Sequence, residues 1–123
     1  MTTTACPVLL VEDDDDLREV MADVLVELGY QVVQATNGEE ALHQLRTGDC
    51  LPCLILLDLR MPVMDGWQFR EEQQKDPALA NIPVVALSGH AELRAFDAVA
   101  HLIKPVQFNP LASAVERFCA RPP

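Results

Sequence analysis

Basic residues are scarce in this chain: 9 Lys and Arg stand against 19 Asp and Glu among 123 residues, a formal net charge of −10. No Lys/Arg cluster is present that could track a phosphate backbone, which disfavours direct nucleic-acid binding. Long apolar runs are missing too, and nothing approaches the ~20 residues needed to cross a bilayer. The first residues, MTTTACPVLL, lack a basic region followed by a long apolar stretch, so a soluble, cytoplasmic protein that binds no membrane is expected. Four cysteines, Cys6, Cys50, Cys53 and Cys119, are too few and too irregularly spaced for a secreted disulfide framework. Cys50-Leu-Pro-Cys53 has the C-x-x-C form, but redox pairs of that form work at a helix N-terminus and this one precedes a strand. Zinc would need further ligands, and neither a second C-x-x-C nor an H-x-x-x-H is present. Ordinary buried cysteines are therefore expected.

What the chain does have is a regular alternation. Half of it is hydrophobic, enough for one core in a single domain of this length. Val8-Leu9-Leu10-Val11 is a continuous apolar run, the mark of a strand buried on both faces. Leu17, Val20, Met21, Val24, Leu25 and Leu28 then recur with helical spacing, with Asp15 as N-cap and Gly29 as the stop. Residues 31–36 read as a second strand, 39–46 as a short helix after an Asn37-Gly38 cap, 53–57 as the central strand and 65–75 as a third helix. Residues 82–87 read as a fourth strand, 91–97 as a short helix at best, and 99–103 as a fifth strand. Asn109 as N-cap and Pro110 at the first helical position open a last helix, with Leu111, Ala114, Val115, Phe118 and Cys119 inward. Strand and helix alternate strictly and the strands look too apolar to have a wet face, so an α/β fold with a parallel, doubly wound sheet is expected.

In such sheets the site lies beyond the carboxyl ends of the strands. Glu12 and Asp13 fall there after the first strand, Asp58 after the third, Ser88 after the fourth and Lys104 after the fifth. Three acids converging at one edge raise one another's pKa unless a cation neutralises them, and a hard ion such as Mg²⁺ suits carboxylate ligands. With the ion in place, one carboxylate can act as nucleophile towards a phosphoryl group, with Ser88 and Lys104 reaching its oxygens. The competing reading is that residues 12–16 only cap and solvate the first helix, whose dipole favours acids. It accounts for Asp14 to Asp16, but not for Asp58 or Lys104.

VLLVEDD, LLDLRMPVMDG, VVALSG and HLIKP, in this order and at the ends of strands one, three, four and five, resemble the receiver domain of bacterial two-component response regulators. The resemblance covers nearly the whole chain and implies a flavodoxin-like five-stranded sheet in the order 2-1-3-4-5, with helices on both faces. By the same resemblance Asp58 is the phosphoacceptor, and Asp13 and Asp58 bind Mg²⁺ directly with the backbone carbonyl of Arg60, while Glu12 acts through water. Ser88 looks like the switch hydroxyl and Lys104 like the lysine that contacts the phosphoryl group, with a cis Lys104-Pro105 bond. The implied partners are a sensor histidine kinase or phosphotransfer protein and a downstream protein of unknown identity. The implied state is a monomer or weak homodimer, a signalling domain rather than an enzyme, with no effector domain in residues 1–123.

Two departures stand out. Sixteen residues carry the chain from Ser88 to Lys104, shorter than the family pattern by roughly one and a half helical turns, so the family's fourth helix is expected to be stunted. His101 stands where the family has a switch Tyr or Phe, either as an imidazole version of that switch or as a half-buried filler. Arg60 and His90 are expected to flank the phosphoryl site and tune its lifetime. Two alternatives accompany this reading. A phosphatase using an aspartyl-phosphate intermediate would want a second acid two residues after Asp58, where Arg60 stands. A pseudo-receiver would bind partners without being phosphorylated.

Overall fold

The computed structural model describes residues 6–48, 50–89 and 96–119. Nine elements follow one another: β1 (Val8–Val11), α1 (Asp15–Glu27), β2 (Val32–Ala35), α2 (Gly38–Thr47), β3 (Leu54–Asp58), α3 (Gly66–Lys75), β4 (Val84–Ser88), β5 (Ala100–Ile103) and α4 (Phe108–Phe118). The five strands form one sheet in the order β2-β1-β3-β4-β5, with every neighbouring pair parallel.

Alternate side chains of each strand serve opposite faces. Val8, Leu10, Leu54, Leu56, Val85 and Leu87 pack with Met21 and Leu25 of α1 and Leu111 and Val115 of α4. Leu9, Val11, Ile55, Leu57, Val84 and Ala86 pack with Ala41, Leu42 and Leu45 of α2 and Phe69 of α3. The sheet is thus doubly wound, with each fully buried large aliphatic side chain contributing about 1.5–3 kcal/mol. Only the three central strands are buried throughout; β2 and β5, at the sheet's edges, expose Val33, Gln34 and Ile103. The expectation that no strand has a wet face fails there because an edge strand has a neighbour on one side only.

Boundaries shift by at most two residues from the sequence reading. Asp14, not Asp15, caps α1, its side chain accepting the Leu17 N–H at 3.1 Å, and Val20 lies 60% exposed rather than inward. Gly29 ends the helix as expected: its φ of 99° lets Gly29 and Tyr30 donate back to Val26 and Leu25, closing a Schellman motif. α4 begins at Phe108 behind Gln107, so Pro110 is its third residue rather than its first. The first-turn N–H groups lack intrahelical acceptors, so proline is tolerated at either place. Residues 90–95, which hold His90 and most of the expected stunted helix, lie outside the described residues; Phe96 onward is not helical and leads into β5.

The cysteines depart furthest from expectation. Cys53 and Cys119 are joined as a disulfide, with Cα atoms 5.3 Å apart, and Cys6 and Cys50 are exposed free thiols. Sixty-six residues separate the bonded pair, and only the fold brings them together.

Gly66 fixes how closely α3 meets β3. A Cβ there would stand 2.7 Å from Leu59 Cδ2 and 2.8 Å from Leu59 Cα. The backbone atom cannot give way cheaply. Gly66→Ala is expected to lose about 1–3 kcal/mol despite its better helix propensity, read as a lower urea midpoint at unchanged m-value; an equal or higher midpoint would show that the loop relaxes.

Candidate functional site

Asp58 is the last residue of β3 and Ser88 the last of β4, while Glu12 and Asp13 follow β1 and Lys104 follows β5. Parallel pairing of Asp58 with Leu87 and of Ser88 with Ile103 holds these ends level. One carboxylate oxygen from each of Glu12, Asp13 and Asp58 lies within 4.8 Å of the others. Glu12 is fully buried and Asp58 is 1% exposed, whereas Asp13 faces solvent. The fold therefore gathers the acids the sequence pointed to.

Lys104 reaches both buried acids, its Nζ 3.0 Å from Glu12 Oε1 and 3.2 Å from Asp58 Oδ1. Its backbone N–H donates to the Ser88 carbonyl at 3.0 Å, and the Lys104–Pro105 peptide is cis, as the resemblance implies. Asp58 Oδ1 also accepts the Arg60 N–H at 3.2 Å, and Glu12 Oε2 accepts the Asp14 N–H at 3.1 Å. Ser88 is buried, its hydroxyl donating to the Gly89 carbonyl at 3.2 Å.

Charge does not balance within this cluster. Burial pushes the Asp58 carboxyl up to about 8; the Glu12 charge adds to this, as do hydrogen bonds to Asp13 and Glu12 that Asp58 can make only when protonated, and Lys104 opposes it. Burial draws Lys104 down, but its hydrogen bond to Glu12 and the charges of Asp58 and Glu12 outweigh that and leave it raised. Asp58 Oδ2 is buried and receives no hydrogen bond. A buried, unbonded carboxylate oxygen among acids that one lysine cannot neutralise fits a hard divalent cation with oxygen ligands.

The loop after β3 carries backbone strain. Met64 N–H bonds the Pro62 carbonyl at 2.7 Å, making Val63 the centre of a γ-turn with φ 69°, a conformation β-branched residues avoid. Val63 is 72% exposed, so no packing compensates. Val63→Gly is expected to stabilise the fold by about 1 kcal/mol, measured by urea unfolding; a loss would mean that backbone entropy outweighs the relieved strain.

Composition and spacing did not reveal the aromatic seam beside the site. The Arg60 guanidinium stands 5.9 Å from the Trp67 ring centroid, Trp67 meets Phe96 edge-on at 6.1 Å, and a His101 ring nitrogen lies 3.1 Å from the Phe96 carbonyl. Trp67 sits in α3 and Phe96 in the segment that leads into β5, with no shared periodicity, so only the fold relates them. Arg18 was missed likewise: its Nη1 donates to the Glu12 carbonyl at 2.9 Å and helps fix that acid's backbone.

The model of the response regulator receiver domain matches residues 8–116. Sensor histidine kinase CheAY of Helicobacter pylori is 32% identical over 116 residues, covering 89% of this chain and 14% of that protein. The chain spans less than half the length of most curated relatives it matches. The receiver domain of a signal transduction histidine kinase from Syntrophus aciditrophicus superposes with a TM-score of 0.83 at 33% identity, over 93% of this chain and 89% of that one. The receiver domain of sensor histidine kinase PA1611 from Pseudomonas aeruginosa gives 0.83 at 26% identity, over 94% and 98%. Its structure has a magnesium ion coordinated in the active site cleft. Receiver domains bind Mg²⁺ in their acidic pocket, and an acidic cluster is present here. The pseudo-receiver alternative finds no support. No helix among the described residues is long and apolar enough to cross a membrane. Matched over most of its length and folded like these solved domains, the chain belongs to the response regulator receiver family.

Proposed function

We propose that this domain takes a phosphoryl group from the phosphohistidine of a sensor histidine kinase or phosphotransfer protein onto Asp58 and later loses it by hydrolysis. The observation that carries the reading is the buried Asp58 carboxylate, with one oxygen unbonded and the other 3.2 Å from Lys104 Nζ. A carboxylate oxygen of Asp58 attacks phosphorus as the P–N bond of the donor breaks, and the departing imidazole takes up a proton. Because β3 is buried on both faces, the nucleophile is held rigidly, and positioning does most of the work in phosphoryl transfer. Asp13 and Asp58 would hold Mg²⁺ directly with the Arg60 carbonyl, Glu12 acting through water. Bound there, the ion supplies charge screening between the two reacting anions.

Lys104 stays charged and places its ammonium on a phosphoryl oxygen, exchanging part of its contact with Asp58 for the new anion. Ser88 releases the Gly89 carbonyl and donates to the phosphoryl group, and His101 follows by leaving the Phe96 carbonyl. The added charge thereby biases a two-state surface read by a downstream protein. Arg60, held over Trp67 at the mouth, tunes access of water to the phosphoryl group. The domain works as a signalling module in the cytoplasm, as a monomer or weak homodimer.

Intact mass after incubation with acetyl phosphate and Mg²⁺ tests the reading, beside Asp58→Asn and an EDTA control. A metal-dependent gain of one phosphoryl group, absent from Asp58→Asn, is expected. No gain with acetyl phosphate or with several phosphorylated histidine kinases would overturn it.

A further inference from the structure

The cysteines have no part in that chemistry, yet they gather at the far end of the sheet. Cys6 precedes β1, Cys50 and Cys53 precede β3, and Cys119 follows α4. The Cys53 sulfur, bonded to Cys119, lies 3.5 Å from the Cys6 carbonyl oxygen. The Cys6 and Cys50 sulfurs are 3.7 Å apart although 44 residues separate them in sequence. Both are free and exposed. All four cysteines of the chain thus fall into two spatial pairs linked through Cys6, which ordinary core filling does not call for. At 3.7 Å the two sulfurs stand within about 2 Å of the disulfide bond length.

We propose that Cys6 and Cys50 are a second thiol pair, closed to a disulfide by exchange with a small-molecule disulfide of the glutathione type. This end of the domain then carries a thiol–disulfide site separate from the phosphorylation site. In the first step one protein thiolate attacks a sulfur of the small disulfide. That S–S bond breaks, a mixed disulfide forms and one small thiolate leaves. The second protein thiol gives up its proton and attacks the protein-bound sulfur of the mixed disulfide, which expels the second small thiolate. Two protein thiols are oxidised, one small disulfide is reduced, and the two protons released pass to the leaving thiolates. The hydrogen bond to Cys6 raises the Cys50 thiol above its usual range, so closure quickens as pH rises. In a reducing compartment the pair stays open; closed, it pins the chain entering β1 to the chain entering β3.

The full chain, equilibrated in glutathione buffers from reducing to oxidising and trapped with N-ethylmaleimide, tests this by intact mass and peptide mapping. At the oxidising end no thiol is trapped, and a Cys6–Cys50 link appears beside Cys53–Cys119. Closure raises the thermal midpoint by roughly 10 °C over Cys50→Ser under the same conditions. In Cys50→Ser, Cys6 is trapped or carries glutathione, and phosphoryl uptake matches that of the parent. In Cys53→Ser the Cys6–Cys50 link still forms. Trapping of Cys6 and Cys50 at every poise would overturn the proposal. So would a Cys50–Cys53 link in place of Cys6–Cys50, a stable glutathione adduct without a link, or zinc retained by the reduced protein with its thiols protected.

Discussion

Asp58→Asn is expected to be more stable than the parent by about 2–4 kcal/mol at pH 8 in EDTA, while taking up no phosphoryl group. The stability follows from where Asp58 sits. Its carboxyl is raised from 3.8 to about 8, first by burial and then by the Glu12 charge. A carboxyl raised on folding contributes its full stability below the unfolded value and loses it as pH climbs through the folded one. Between pH 5 and pH 8 the native state holds a proton that the unfolded chain has released, so stability falls by about 1.4 kcal/mol for each pH unit at most. Asn ends that dependence, keeps an acceptor for the Arg60 N–H, and gains an amide that can donate to Glu12. Mg²⁺ should narrow the gap by stabilising the parent more than the variant. Urea unfolding at pH 5.5 and pH 8, with and without Mg²⁺, measures each part. A parent as stable as Asp58→Asn at pH 8 would mean that Asp58 ionises in the fold without penalty.

The same residue shows why so much was legible in the sequence. A buried strand in a parallel sheet must be apolar on both faces, so β1, β3 and β4 appear as unbroken apolar runs, and the first polar residue after each marks the sheet's active edge. That rule located Glu12, Asp58 and Ser88 from chain order alone, and the alternation of strand and helix placed Lys104 after β5. Caps were less legible, because five acids in a row offer several acceptors and only geometry selects Asp14. Val20 matched the helical period yet lies outside, since periodicity gives a stripe and not the width of the surface that covers it. The disulfide and the contact of Trp67 with Phe96 were invisible for a different reason. They join side chains far apart in sequence that share no element, and no local pattern encodes such pairs.

Lys104→Met is expected to cost about 1–3 kcal/mol at pH 8 and less at pH 5.5. The side chain is 31% exposed, which keeps the loss below that of a fully buried pair. Lys104 has a raised pKa, so its contribution is complete below about 10.5 and is lost only above that range; the lysine is charged at both test conditions. The pH dependence must therefore come from its partner. At pH 5.5 Asp58 already carries a proton and the ammonium faces Glu12 alone, whereas at pH 8 Asp58 is ionising and removal of the lysine leaves two acids together. In an Asp58→Asn background the cost of Lys104→Met at pH 8 should shrink by about 1 kcal/mol, since one of the two acids is gone. A double-mutant cycle by urea unfolding at the two pH values measures that coupling. Additive effects, with an equal loss at both, would mean that Lys104 serves Glu12 only. Its place 3.2 Å from Asp58 Oδ1 would then be proximity without energetic weight, and its role towards a phosphoryl group would have to rest on contacts made after transfer.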